Sequence, residues 1–266
     1  MDVDAYGMTP LYCAALSGHT NVVQLITSLS SCSLIEKINA YELLGATFVD
    51  KKRDMLSALD FWRKALSQRN SNSKKPIEKE ISCPVEAYDN SVEVTTLQEL
   101  EELIFEPDKM RMQALLVRER ILGSQHPDTS YYIRYRGAVY ADTGNFDRCI
   151  KLWKYALDIQ PKAGLNGTTQ SVLLSFIELF SYMMSKSLVI VRFDDLFDIF
   201  KRSLLELNLV VNANINQDSE NYNSLLFIIL NFIGLLCNLR PILTAIQEDK
   251  FKQQVYNLIK LNPKGK

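Results

Sequence analysis

The chain has 266 residues, 47% of them hydrophobic, with 30 Lys and Arg against 31 Asp and Glu and a formal net charge of −1. That apolar share suffices for one extended domain or two smaller ones, and the near-neutral balance excludes a nucleic-acid surface built on bulk positive charge. Five dispersed cysteines (Cys13, Cys32, Cys83, Cys149, Cys237) without a C-x-x-C pair read as reduced thiols of the cytoplasm or nucleus. Met1 is followed by acidic and polar residues, so the sequence predicts no secretory signal.

In chain order, Asp4 to Gly7 predicts a tight turn. Thr9-Pro10 then supplies an N-cap and a proline at the first helical position. Ala14 and Ala15 are small enough for close packing, Gly18 suits a turn, and Val22, Val23, Leu25 and Ile26 predict the inward face of a second short helix. Residues 7–26 thus spell out one ankyrin repeat. Its one departure is Tyr12, where such repeats carry His, which puts the usual inter-repeat hydrogen bond in question. A single repeat cannot bury its own apolar face, and about three are usually needed for stability. The chain is therefore expected to expose Leu11 and Val22–Val23 and to be marginal or aggregation-prone.

Strand-like alternation is nearly absent. Apolar spacing predicts helices near 38–49, 54–69, 96–106, 109–122, 128–143, 146–159, 169–185, 193–212, 221–239 and 247–261. Turn chemistry falls at Gly123–Pro127, Thr143–Asn145, Pro161–Gly167 and Pro241, and the Ser-, Asn- and Lys-rich stretch Asn70–Pro84 reads as a loop or linker. The cluster Lys51-Lys52-Arg53 reads as a solvated helix end, and Glu99, Glu101 and Glu102 as an exposed helix face. Leu225–Leu239, the most apolar window, is shorter than the roughly 20 residues of a membrane span. A buried helix in a soluble chain is the expectation.

Gly137, Tyr140, Gly144, Phe146, Cys149, Trp153, Ala156 and Pro161 fall at the spacings of a tetratricopeptide repeat, a helix–turn–helix unit of about 34 residues. Leu44, Gly45, Phe48, Ala58, Trp62 and Ala65 form a looser copy with one extra residue in its turn. Both tryptophans of the chain occupy the same repeat position. Between the copies, Pro127 fixes a helix entry that Asp128, Thr129 or Ser130 can cap. The fold class is all-α, a helical repeat solenoid: a single, last ankyrin repeat over 1–36, a first tetratricopeptide-like repeat over 37–69, and a linker over 70–95. Further tetratricopeptide-like repeats follow over 96–162, then degenerate helical pairs over 163–266.

No chemistry-bearing constellation is legible. His19 and His126 sit in turns, and no glycine-rich phosphate loop, G-x-S-x-G elbow or H-E-x-x-H occurs. Cys149 stands at a small-residue position and reads as an inert buried thiol. A non-catalytic binding protein without cofactor or metal is expected. In the repeat around Gly137, the groove-facing positions are Tyr131, Arg134, Ala138 and Asp142. Of these, Tyr131, Arg134 and Asp142 are the candidate peptide contacts, while Arg134 and Arg136 otherwise read as solvated helix charge. Ala138 stands where a chaperone-tail clamp would carry asparagine.

The ankyrin repeat, then Glu42–Asp54 (ELLGATFVDKKRD), Met112–Gly123 (MQALLVRERILG) and Tyr135–Asp142 (YRGAVYAD), resembles the Fem (feminization) family, as does Val255–Pro263 (VYNLIKLNP). The resemblance implies a substrate-recognition subunit of a cullin-RING ubiquitin ligase, acting in protein ubiquitination and proteasomal degradation in the cytoplasm or nucleus. It also implies substrate proteins with C-terminal degrons as partners, and elongin B/C and a cullin as partners of the full-length form. No nucleic acid or membrane partner is implied. The N-terminal ankyrin array and the docking box of that family have no counterpart in these residues, so a fragment or a shortened paralogue is expected. The connector 122–129 also looks like that of kinesin-light-chain repeats, which keeps a non-ligase scaffold or cargo adaptor as the alternative.

Overall fold

A computed structural model describes residues 3–71, 75–80, 83–160, 167–186, 190–212 and 220–261. Among them every regular element is helical and no strand occurs, the all-α helical-repeat architecture that the periodicity predicts. The chain divides into two compact units, Met1–Arg136 and Gly137–Lys266.

In the first unit, α1 (Pro10–Ser17) and α2 (Thr20–Ser28) form the ankyrin helix pair. Asp4 Oδ1 accepts the Tyr6 and Met8 amides, and Gly7 takes φ +77°, which closes the preceding turn. Thr9 Oγ1 accepts the Tyr12 amide, and Gly18 at φ +77° ends α1. The inward face of α2 is narrower than its apolar content predicts. Val23 and Thr27 are buried and Ile26 half-buried, whereas Val22 and Leu25 lie on the opposite stripe and are exposed. Leu11 is covered too, by Ala40, Leu43 and Leu44 of α3 (Leu34–Thr47). The exposed apolar edge is therefore Val22, Leu25 and Leu29. Tyr12 supplies its own polar tie to the neighbouring layer, since its hydroxyl accepts a hydrogen bond from Asn39 Nδ2 at 3.1 Å.

Helix α3 starts four residues before the predicted position because Ser33 and Glu36 close a reciprocal capping box. It runs into a π-helical turn, Phe48–Lys52, that ends on Arg53 in the left-handed region at φ +57°. The extra residue of the looser repeat is absorbed in this turn, since i→i+5 bonding accommodates one more residue than an α-turn. Asp54 then caps α4 (Met55–Arg69) through the Ser57 amide at 3.0 Å.

Both repeats close around the same device. A β-carbon on Gly45 would stand 2.4 Å from Trp62 Nε1, and one on Gly137 would stand 2.4 Å from Trp153 Nε1. Each indole lies on the backbone of the facing helix, which only glycine allows. Helices α5 (Leu97–Glu102) and α6 (Pro107–Leu122) complete the first unit's core with Leu100, Met110, Ala114 and Val117 against Trp62. Within the mostly exposed stretch 83–95, Tyr88 and Glu93 are buried, and the Tyr88 hydroxyl donates to Glu119 at 2.6 Å.

Helix α7 (Pro127–Asp142) begins on a histidine, not on the predicted Asp, Thr or Ser. His126 Nδ1 accepts the Asp128 amide at 3.1 Å, while Thr129 is buried and donates back to the Gly123 carbonyl at 2.9 Å.

In the second unit α8 (Phe146–Asp158) buries Cys149, Trp153 and Ala156, and Trp153 meets Phe176 of α9 (Gly167–Ser185) edge to face at 5.4 Å. The second unit is completed by α10 (Phe193–Asn212), α11 (Glu220–Leu239) and α12 (Ala245–Leu261). Pro161, predicted to stop α8, and Pro263 lie outside the described residues. By length and composition alone, Glu220–Ile242 is long and apolar enough to cross a membrane. Leu225, Ile228, Ile229, Phe232, Leu235, Leu236 and Leu239 are buried at helical spacing, as in a core helix, while Phe227 and Leu230 stay exposed.

Candidate functional site

Among the candidate contacts, Tyr131 and Arg134 lie in the first half of α7 and Asp142 is its last residue, exposed. Tyr131 is 51% exposed yet fixed by its neighbours. Its ring lies parallel to Tyr135 at 6.4 Å and edge-on to Tyr132 at 5.1 Å. Arg53, presented by the π-turn, donates from Nη2 to the Tyr135 hydroxyl at 3.0 Å. Arg134 is half-buried, and desolvation holds its guanidinium below its usual pKa. Arg136 is not solvated charge. It is 5% exposed and is drawn inward by a carboxylate the sequence pattern hides.

That carboxylate is Asp50, on the π-turn and 4% exposed. Its Oδ1 accepts from Arg136 Nη2 at 2.8 Å, and its Oδ2 accepts from Arg118 Nη1. Arg118 is fully buried, and its guanidinium lies 3.7 Å from the centre of the Tyr132 ring. One acid thus faces two buried guanidiniums. Three segments far apart in sequence (the π-turn, α6 and α7) are tied together directly beneath the tyrosines.

A second buried cluster ties α3 to α4 and α6. Glu42 accepts from Arg69 Nε at 2.9 Å and Nη2 at 3.0 Å, and from Arg120 Nη2 at 2.7 Å. Arg120 also grips Glu93 in a fork at 2.6 and 3.0 Å, and Lys79 lies 3.3 Å from Glu93. Burial pushes the Glu42 carboxyl up, but the Arg69 hydrogen bonds and the charges of Arg120 and Lys79 outweigh it and leave the group below the ordinary glutamate range. A depressed folded-state pKa adds stability that is complete above the unfolded value of about 4.3 and is lost as pH falls through the folded one. Acid denaturation followed by circular dichroism is therefore expected to flatten in Glu42→Gln relative to the native chain. An unchanged acid limb contradicts this.

Neither buried cluster is visible in the sequence pattern, where Lys51–Arg53 reads as a solvated helix end and Asp50 as part of the same charged run. Lys51, Lys52 and Arg53 are indeed exposed. The available signal was register: Asp50 follows Ala46 by four residues and Arg118 follows Ala114 by four, so both continue buried stripes. Glu99 and Glu101 are engaged locally, the former accepting from the Thr95 and Thr96 amides and the latter paired with Arg63. No group of three or more metal-ligating side chains occurs among the described residues. Burial pushes the Cys149 thiol far above its ordinary value.

No family model matches the chain. Individual relatives match all of it: protein fem-1 homolog C of Mus musculus and of Homo sapiens are each 51% identical over 276 residues, covering 100% of this chain and 44% of the relative. Protein fem-1 homolog CG6966 of Drosophila melanogaster is 56% identical over 186 residues, covering 69% of this chain and 28% of the relative. The chain belongs to the fem-1 family. It spans less than half the length of these fem-1 relatives.

Proposed function

We propose that this chain is the helical scaffold of a non-catalytic substrate adaptor for a cullin-RING ubiquitin ligase, which brings proteins with C-terminal degrons to ubiquitination in the cytoplasm or nucleus. The observation that carries the reading is whole-chain identity of 51% to fem-1 homolog C, joined to the ligase role that the Fem resemblance implies. The mechanism is positioning. Packed helix pairs hold bound protein in place and perform no bond chemistry themselves. In support, both histidines have turn roles, His126 as the acceptor that starts α7 and His19 at the entry of α2. Buried salt bridges that fix the mutual register of α3, α6 and the π-turn suit a scaffold whose task is geometry.

The test is affinity purification, from cells, of the protein that carries this chain, with its partners identified by mass spectrometry. Recovery of elongin B/C together with a cullin is expected. Recovery of neither overturns the ligase reading and leaves a scaffold or cargo adaptor.

A further inference from the structure

The π-turn, the tyrosine ladder of α7 and the charge beneath them converge on one face of the first unit. We propose that the strip Arg53–Tyr135–Tyr131, flanked by Lys51 and Lys52, is a docking site for an acidic peptide segment carrying an aromatic residue. The inference concerns which partner chemistry this face takes and is independent of any ligase link.

Three observations carry it. Tyr131 is half exposed while its ring is already held by Tyr132 and Tyr135. A pre-ordered amphipathic ring loses little freedom on binding and offers both a stacking face and a hydroxyl, which is why tyrosine concentrates at interface hot spots. Arg53 is an arginine kept at φ +57°, a backbone region that side-chain-bearing residues rarely occupy. That conformation sets its exposed guanidinium on the Tyr135 hydroxyl, which engages one of its five donors. The remaining donors form the planar fork that recognises carboxylates.

The third observation is charge. Below the strip the single carboxylate of Asp50 meets Arg118 and Arg136, leaving an excess of positive charge in a water-poor interior. Next to Arg53 in sequence Lys51 and Lys52 are exposed, and the exposed acid that adjoins them, Asp54, is occupied by the amide and hydroxyl of Ser57. Low-dielectric surroundings project such an excess outward. A face of fixed aromatic rings edged by cations selects an acidic partner, with an aromatic side chain to lie on Tyr131.

The experiment uses the purified chain and a fluorescein-labelled Glu-Asp-Trp-Glu-Asp peptide, with Lys-Arg-Trp-Lys-Arg as its counterpart, followed by fluorescence anisotropy at low salt. Saturable binding of the acidic peptide alone is expected, weakening as salt is raised. The triple variant Lys51→Glu, Lys52→Glu, Arg53→Glu is expected to bind at least about tenfold more weakly, and Tyr131→Ala about tenfold more weakly. Lys252→Glu, on an exposed side chain of the second unit, leaves binding unchanged. Circular dichroism checks each variant, and because Tyr131 is half exposed its truncation keeps the test readable should the triple variant misfold. Absence of acidic-peptide binding, equal binding of both peptides, or undiminished binding by Tyr131→Ala overturns the proposal. None of these results depends on elongin recovery, so this proposal and the ligase reading fail separately.

Discussion

Asp50→Ala is expected to lower the unfolding free energy of the first unit by about 3–5 kcal/mol, the usual cost of stripping one partner from a buried ionic cluster. The size follows from what remains. Arg118 and Arg136 are 0% and 5% exposed and would keep two guanidiniums buried with no carboxylate between them. Within the native cluster Nε and Nη2 of Arg118 and Nε of Arg136 already make no hydrogen bond, so no nearby acceptor stands ready to take over. Asp50→Asn keeps a carbonyl acceptor but loses the charge, and should fall between the two. The contrast is Asp54→Ala, which removes an exposed helix cap four residues away and should cost about 1 kcal/mol. Urea unfolding of the three variants, read by tryptophan fluorescence, distinguishes them. A loss in Asp50→Ala no larger than in Asp54→Ala would show that the cluster is not the clasp described above.

The second large effect reverses the ordinary rule that alanine stabilises a helix relative to glycine by about 1 kcal/mol. At Gly45 and Gly137 the added methyl would stand 2.4 Å from an indole nitrogen, inside any van der Waals limit, and the ring cannot swing away because it is buried in the core. Gly45→Ala and Gly137→Ala are each expected to destabilise by about 1–3 kcal/mol or more, the range for overpacking. Gly234→Ala is the internal control, since a β-carbon on that glycine of α11 meets nothing within 4 Å. It should be neutral or slightly stabilising. Combining Gly137→Ala with Trp153→Leu should cost less than the sum of the two single changes, because the smaller side chain removes the clash. Additive losses would mean that the glycine and the tryptophan do not share one gap.

The two repeats were legible because their packing rests on residue types that admit few substitutes at fixed spacing, Gly against Trp and a small residue one turn on; the left-handed turn position is a glycine, Gly144, in one and Arg53 in the other. The Val22 and Leu25 error has a plain cause. Four apolar residues in five cannot all lie on one stripe, and composition alone does not say which stripe the neighbour covers. The start of α3 was in principle readable from Ser33 and Glu36, a capping box outside the apolar run that set the predicted boundary. The buried ion clusters were the least accessible part of the candidate site. Asp50 and Arg118 sit inside charged runs that look solvated, and their partners are 68 and 86 residues away. Only the fold reveals which member of a charged run turns inward. Repeat register singles out Tyr131 as a candidate, whereas Arg53 escapes notice because nothing in its flanking residues announces a left-handed backbone or a π-turn beneath it.

The long reach of the Asp50 clasp also orders events during synthesis. A domain of this size gathers its structure as the chain emerges, N-terminal elements first, yet Asp50 meets its first guanidinium, Arg118, only once α6 has left the ribosome and its second, Arg136, only once half of α7 has. Until then the turn that carries it must stay wet, because closing the ankyrin layer and α3 over a lone carboxylate would strand a charge in a dry interior. Nascent chains ending short of Arg118 should therefore remain open at this turn and vulnerable to proteases there, and the arrival of that arginine would allow the enclosure to begin.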